Sequence, residues 1–124
     1  MDVTPLIRKG AQVIQSYAGG TFTVTGKIYT GPVIIFPDEV LEWKISAPLS
    51  AEDFSTLIER RDVLDVVLLG RGRNMTLLDP ALKKALKERG VSPEPMDTGA
   101  ACRTYNLLMA EGRRVAAALI PVTS

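Results

Sequence analysis

The sequence contains no histidine and a single cysteine, Cys102. A disulfide within the chain is therefore impossible, which fits a reducing compartment. Zinc sites built from Cys and His lack their ligands. Ser-His-Asp and Cys-His catalysis lack the imidazole base. Aromatic residues are scarce at 6%, and no apolar run approaches the ~20 residues that cross a bilayer. The opening Met1-Asp2-Val3-Thr4-Pro5 has neither the charged-then-apolar layout of a signal peptide nor the arginine content of a transit peptide. These features give a cytoplasmic protein as the expectation, with no metal, no cofactor and no catalytic residue.

What is present describes an α/β domain. The 124 residues are 46% apolar and 23% charged, an ordinary composition for one soluble domain. Net charge is +1, so no global field selects a polyanion, although residues 1–62 carry −2 and residues 63–124 carry +3. After an irregular lead-in over residues 1–11, Val13–Tyr17, Thr21–Val24 and Ile28–Thr30 read as short strands, separated by Ala18-Gly19-Gly20 and Thr25-Gly26-Lys27. Val33–Phe36 is a buried apolar run. Leu41–Ile45 alternates, with Leu41, Trp43 and Ile45 on one face.

Helical signals begin at Ser50-Ala51-Glu52-Asp53, a hydroxyl cap with a carboxylate three residues on, followed by the stripe Phe54, Leu57 and Ile58. Asp65–Leu69 predicts a central strand and Gly70–Leu78 a loop. Asp79-Pro80 opens a second helix with Leu82, Ala85 and Leu86 inward and Lys83, Lys84 and Lys87 outward, closed by Gly90. Interleaved acids and the lack of an aromatic ladder make that basic run a solvated face, not a nucleic-acid surface. Thr98 caps a third helix to about Glu111, and Val115–Ile120 is a last buried strand. A meander followed by strand, helix, extended segment, helix and strand implies a mixed sheet with helices against it.

Two segments are candidates for binding. Gly70-Arg71-Gly72-Arg73 follows a buried strand, where nucleotide-binding folds hold phosphate, but it lacks the third glycine or the Gly-Lys-Ser/Thr of the phosphate loops. Its plain reading is a turn. Asp97-Thr98-Gly99-Ala100-Ala101-Cys102-Arg103 starts a helix, where backbone N–H groups attract anions and a thiol ionises more readily. Its plain reading makes Cys102 a small buried hydrophobe.

The stretch Met96-Asp97-Thr98-Gly99-Ala100-Ala101-Cys102-Arg103-Thr104-Tyr105-Asn106 resembles the most characteristic segment of a domain-of-unknown-function family that includes the mitochondrial complex I assembly factor 3, an adipogenesis-associated protein of animals and many bacterial and archaeal proteins. Ser16-Tyr17, Gly20, Phe22, Gly26, Gly31, Pro37, Val40, Trp43, Gly70, Gly72, Gly90-Val91, Glu94, Glu111-Gly112-Arg113 and Ala118-Leu119-Ile120-Pro121 follow in that family's order. The family usually has a small hydroxyl residue between the two loop glycines, where this chain has Arg71.

The resemblance implies three layers: a central mixed sheet of about five strands, helices on one side, and a β-hairpin layer with a helix on the other. It implies a bacterial, non-catalytic interaction or assembly protein, with respiratory-complex subunits as partners at the inner-membrane surface, and it leaves homo-oligomers open. The alternative expectation is a small-molecule or anion site, of a binding protein or an enzyme, where Gly70, Arg71 and Gly72 meet Asp97, Thr98, Gly99, Cys102, Arg103 and Asn106.

Overall fold

A computed structural model describes residues 11–123. The irregular lead-in expected over residues 1–11 lies outside the described residues, apart from Ala11, which is buried in the core. Eight strands and three α-helices follow in the order β1(Ile14–Ala18), β2(Thr21–Val24), β3(Lys27–Thr30), β4(Val33–Phe36), β5(Glu39–Glu42), α1(Ser55–Glu59), β6(Val66–Arg71), α2(Pro80–Glu88), β7(Glu94–Met96), α3(Thr98–Ala110) and β8(Val115–Ile120). Strands β1, β2 and β3 form one antiparallel sheet, and the other five form a mixed sheet ordered β5-β4-β8-β6-β7.

The central strand β8 pairs antiparallel with β4 and parallel with β6. Because strand side chains alternate, β8 feeds two cores at once. Val115, Ala117 and Leu119 join Phe22, Val24, Ala101, Cys102, Tyr105 and Met109 under the small sheet and α3. Ala116 and Ala118 join Trp43, Phe54, Leu57, Leu78 and Leu86 under α1 and α2. The result is the three-layer arrangement expected, with the small sheet and α3 on one face and α1 and α2 on the other.

Both hairpins of the small sheet turn on two residues with positive φ, Gly19 and Gly20 (61° and 79°) and Thr25 and Gly26 (46° and 82°). That geometry matches the twist of the flanking strands. It is an unfavourable conformation for the β-branched Thr25. Three contacts hold it there: its amide donates to the Val13 carbonyl, its hydroxyl donates to the Ala11 carbonyl at 3.2 Å, and its Oγ1 accepts from the Val13 amide at 2.8 Å.

Four sequence expectations shift. The Ser50 cap leads first into a 3-10 turn, Ala51–Phe54, in which the Asp53 carboxylate reaches back to the Ser50 amide at 2.8 Å. The strand expected over Leu41–Ile45 lies earlier, at Glu39–Glu42, since its ladder follows β4; Trp43 continues it by one amide, bonded to the Pro32 carbonyl. The strand expected over Asp65–Leu69 begins one residue later and runs through Gly70 and Arg71, because both pair with β8. The third helix takes Asp97 as its cap, its carboxylate accepting from the Ala100 amide at 2.9 Å, so Thr98 is freed for another role.

Candidate functional site

Asp97 follows β7, and α3 starts beside the C-terminal ends of the parallel strands β6, β7 and β8. Thr98 is fully buried there and ties three elements together. Its amide donates to the Gly72 carbonyl at 2.8 Å, its Oγ1 accepts from the Gly72 amide at 2.8 Å, and its hydroxyl donates to the Ile120 carbonyl at 2.6 Å. Gly70 makes this approach possible. A Cβ there would lie 2.9 Å from both Thr98 Oγ1 and Leu119 Cδ2, and 3.1 Å from Thr98 Cα. The two loop glycines and the helix start do meet, in a packed and fully bonded joint.

The helix start has few N–H groups to offer an anion. The Thr98 amide goes to Gly72, and the Ala100 and Ala101 amides go to the Asp97 carboxylate and carbonyl. Outside the joint, the surface over Gly99 is occupied by Tyr17. A Cβ on Gly99 would collide with the Tyr17 hydroxyl and come within 3.3 Å of Arg103 Nη1. Arg103 thus folds back along the exposed side of α3, with its guanidinium near the phenol.

Arg71 does not join this group. Leu68 belongs to the core under α3 and Leu69 to the core under α1 and α2, so strand alternation sends Gly70 toward α3 and Arg71 to the opposite face. Its Nε is buried without a hydrogen-bond partner.

Cys102 is 3% exposed in the core beneath α3. Burial pushes its thiol up to about 12; Arg103 opposes the rise and Asp97 adds to it. At neutral pH such a sulfur is a protonated, inert core atom.

Both ends of the Asn106 side-chain amide are bonded. Its Oδ1 accepts from the Ile14 amide at 2.9 Å and its Nδ2 donates to the Ile14 carbonyl at 2.7 Å. One residue earlier the Tyr105 hydroxyl donates to the Gln12 carbonyl at 2.7 Å. These two side chains fasten the start of β1 to α3, beside the bulge between Ile14 and Ser16.

A separate open groove of about 360 Å³ is lined by Thr30, Pro32, Glu42, Trp43, Lys44 and Ile45. Sequence reasoning placed Trp43 in the core, where its ring is, packed edge-on against Phe54 with Nε1 donating to the Asp53 carbonyl. It missed the groove, whose walls come from two stretches ten residues apart that share no local pattern.

Residues 14–120 match the model of the family described as "Protein of unknown function (DUF498/DUF598)". The chain is 34% identical over 113 residues to the mouse protein named NADH dehydrogenase [ubiquinone] 1 alpha subcomplex assembly factor 3, covering 90% of this chain and 61% of that protein. The chain therefore spans less than two-thirds of the length of that relative. An uncharacterised protein of Rhodobacter capsulatus is 34% identical over 113 residues, covering 91% of this chain and 87% of its own. Among solved structures, a Bartonella henselae protein described as an outer membrane protein superposes with a TM-score of 0.81 at 35% identity, over 91% of this chain and 97% of that one. The mixed sheet, its two covering layers and the matched span lead to one conclusion: the chain belongs to the DUF498/DUF598 family of α/β proteins, among whose members are proteins named as complex I assembly factors.

Proposed function

We propose that this chain is a non-catalytic interaction protein that assists assembly of a respiratory complex, binding subunits of complex I in a bacterial cytoplasm at the membrane surface. The observation that carries the reading is the 34% identity, over 90% of the chain, to a protein named for assembly of NADH dehydrogenase. The disposition of the most characteristic segment supports it. Asp97, Thr98, Cys102 and Asn106 spend their polar groups on the fold itself or bury them. No helix among the described residues is long and apolar enough to cross a membrane, so contact with a membrane complex in this reading goes through its subunits.

Affinity capture of the tagged chain under mild conditions tests it. Recovery of complex I subunits, absent from a tagged control protein, is the expected result. Failure to recover any subunit or assembly partner removes the main support.

The ligand-binding reading draws on one observation, the Tyr17 hydroxyl and Arg103 guanidinium brought together over Gly99. We favour the interaction reading because the Thr98, Ala100 and Ala101 amides are already bonded within the chain. A thermal-shift panel of nucleotides, phosphates and thiols separates the two readings. A flat response is expected, and a shift abolished by Arg103→Ala favours the ligand.

A further inference from the structure

Five large apolar side chains stand well exposed among the described residues, and two of them share one loop. Met75 and Leu77, 52% and 69% exposed, precede α2, while Leu78 beside them is buried at 7% and anchors the loop to the core. The helix that follows turns Leu86 fully inward and Leu82 partly so, and leaves Lys83, Lys84 and Lys87 exposed. At about 100° per residue the three lysines occupy one continuous arc of roughly a quarter-turn, on the side away from Leu82 and Leu86. The outward face of α2 thus carries three cations, with the exposed Glu88 beside Lys84 and two apolar side chains in the loop before the helix.

The helix's own electrostatics favour Lys87, in the last turn, but give no gain to Lys83 or Lys84. Helix N-termini favour anions and C-termini favour cations. Here Lys83 is the fourth of nine residues, Lys84 is the middle one, Lys87 sits in the last turn where a cation is favoured, and Glu88 is the last residue. Lys83 and Lys87 are like charges one turn apart, which repel, and Lys84 before Glu88 is the weaker order for a pair at that spacing. None of the three lysines takes part in an ion pair among the described residues. Like charges left unpaired on one face, without a gain inside the fold, point to a use outside it.

We propose that this face docks an acidic amphipathic segment of a partner protein, with the partner's carboxylates on Lys83, Lys84 and Lys87 and its apolar side chains on Met75 and Leu77. The inference deepens the assembly reading and rests on it, by naming the surface and the chemistry of the partner. A protein segment is favoured over an anionic membrane on count. Lipid recognition by basic clusters uses about four to eight cations, whereas this face offers three lysines on a chain of net charge +1.

The test uses the whole chain, isotope-labelled, titrated with a synthetic helical peptide carrying leucines on one face and glutamates on the other. Backbone resonances of residues 75–77 and 81–88 are expected to shift together, with affinity falling as salt rises. Lys83→Glu, Lys84→Glu and Lys87→Glu combined are expected to weaken binding at least about tenfold, as loss and reversal of close charge pairs implies. Met75→Ser with Leu77→Ser is expected to weaken it while leaving the salt dependence in place. Unchanged melting temperatures for both variants establish that the fold is intact.

Equal binding of the same peptide with glutamine for glutamate overturns the proposal. So do shifts centred elsewhere, such as the groove at Trp43, or a preference for phosphatidylserine vesicles over the peptide at this face. Capture from cells separates this inference from the function it rests on. If subunits co-purify with the charge-reversed chain as well as with the native one, the face is wrong and the assembly reading stands. If the native chain captures none while the peptide results hold, the face is right and the assembly reading fails.

Discussion

Asn106 holds Ile14 by both of that residue's main-chain polar groups, as a neighbouring strand would. One side-chain amide on α3 thereby extends the hydrogen bonding of β1 where the strand bulges. Removing one partner leaves the other buried or half-buried and unmet, at a cost larger than the net worth of the bond. Asn106→Ala is expected to lower stability by about 2 kcal/mol, measured by urea denaturation. Asn106→Asp is expected to behave nearly as badly, since a carboxylate repels the Ile14 carbonyl. Stability unchanged in both variants contradicts the fastening role.

The joint between Gly70 and Thr98 makes a paired prediction. Gly70 has an ordinary strand backbone, so its constraint is purely steric. Gly70→Ala is expected to cost about 1–3 kcal/mol through overpacking. Thr98→Val keeps the shape but strands the Gly72 amide and the Ile120 carbonyl, for a loss of about 2–3 kcal/mol. Thr98→Ser keeps the hydroxyl and loses one buried methyl, about 1 kcal/mol. Equal losses for the valine and serine variants sink this account of the hydroxyl.

Cys102 predicts both a reactivity and a pH profile. A thiol moved from its ordinary 9.0 to about 12 holds about a thousandth of the usual thiolate at neutral pH. Alkylation by iodoacetamide is therefore expected to be slower in the folded chain by about a thousandfold, and to become rapid in denaturant. Because the folded state holds this proton more tightly than the unfolded state, the stability it contributes is complete below about pH 9 and is lost as pH rises toward 12. Tyr105, whose phenol burial also raises, with Asp38 adding to the rise, acts in the same direction above its ordinary 10.0. Cys102→Ala is expected to flatten the first part of the alkaline decline and leave the part due to Tyr105. Rapid labelling of the native chain contradicts the inert core role.

The Thr25 turn supplies a fourth test. Its hydroxyl makes two of the contacts that hold a β-branched residue at φ 46°. Thr25→Val retains the strain without those bonds, and is expected to lose about 2 kcal/mol. Thr25→Gly removes the strain along with the bonds and is expected to lose less, in the same denaturation assay. A valine variant as stable as the native chain contradicts the compensation.

The layers were legible in the sequence because periodicity carries them. Val115–Ile120, apolar without interruption, had to be covered on both faces, and Lys83, Lys84 and Lys87 alternate with Leu82 and Leu86 at the helical period. The ends of elements were less legible. Nothing local distinguishes Gly70 as a strand residue from a loop residue, since its place is fixed by β8 alongside it, 49 residues later at Leu119. The candidate site was half legible. Gly70 and Gly72 lie against Thr98, as their positions at the end of β6 and its own at the start of α3 allow, but the alternation that turns Arg71 to the other face emerges only once β6 is known to continue through it. The bonds from Asn106 to Ile14 cross 92 residues and leave no local trace.

Whether the chain serves assembly through contact and not through chemistry is decided in cells that make it. Its gene is deleted, and complex I is followed on native gels while variants are returned. Assembled complex is expected to fall and partial assemblies to accumulate, and the native chain and Cys102→Ala are expected to restore assembly equally. Unaltered complex I in the deletion strain, or rescue that depends on the Cys102 sulfur in a variant that folds normally, contradicts assembly through contact.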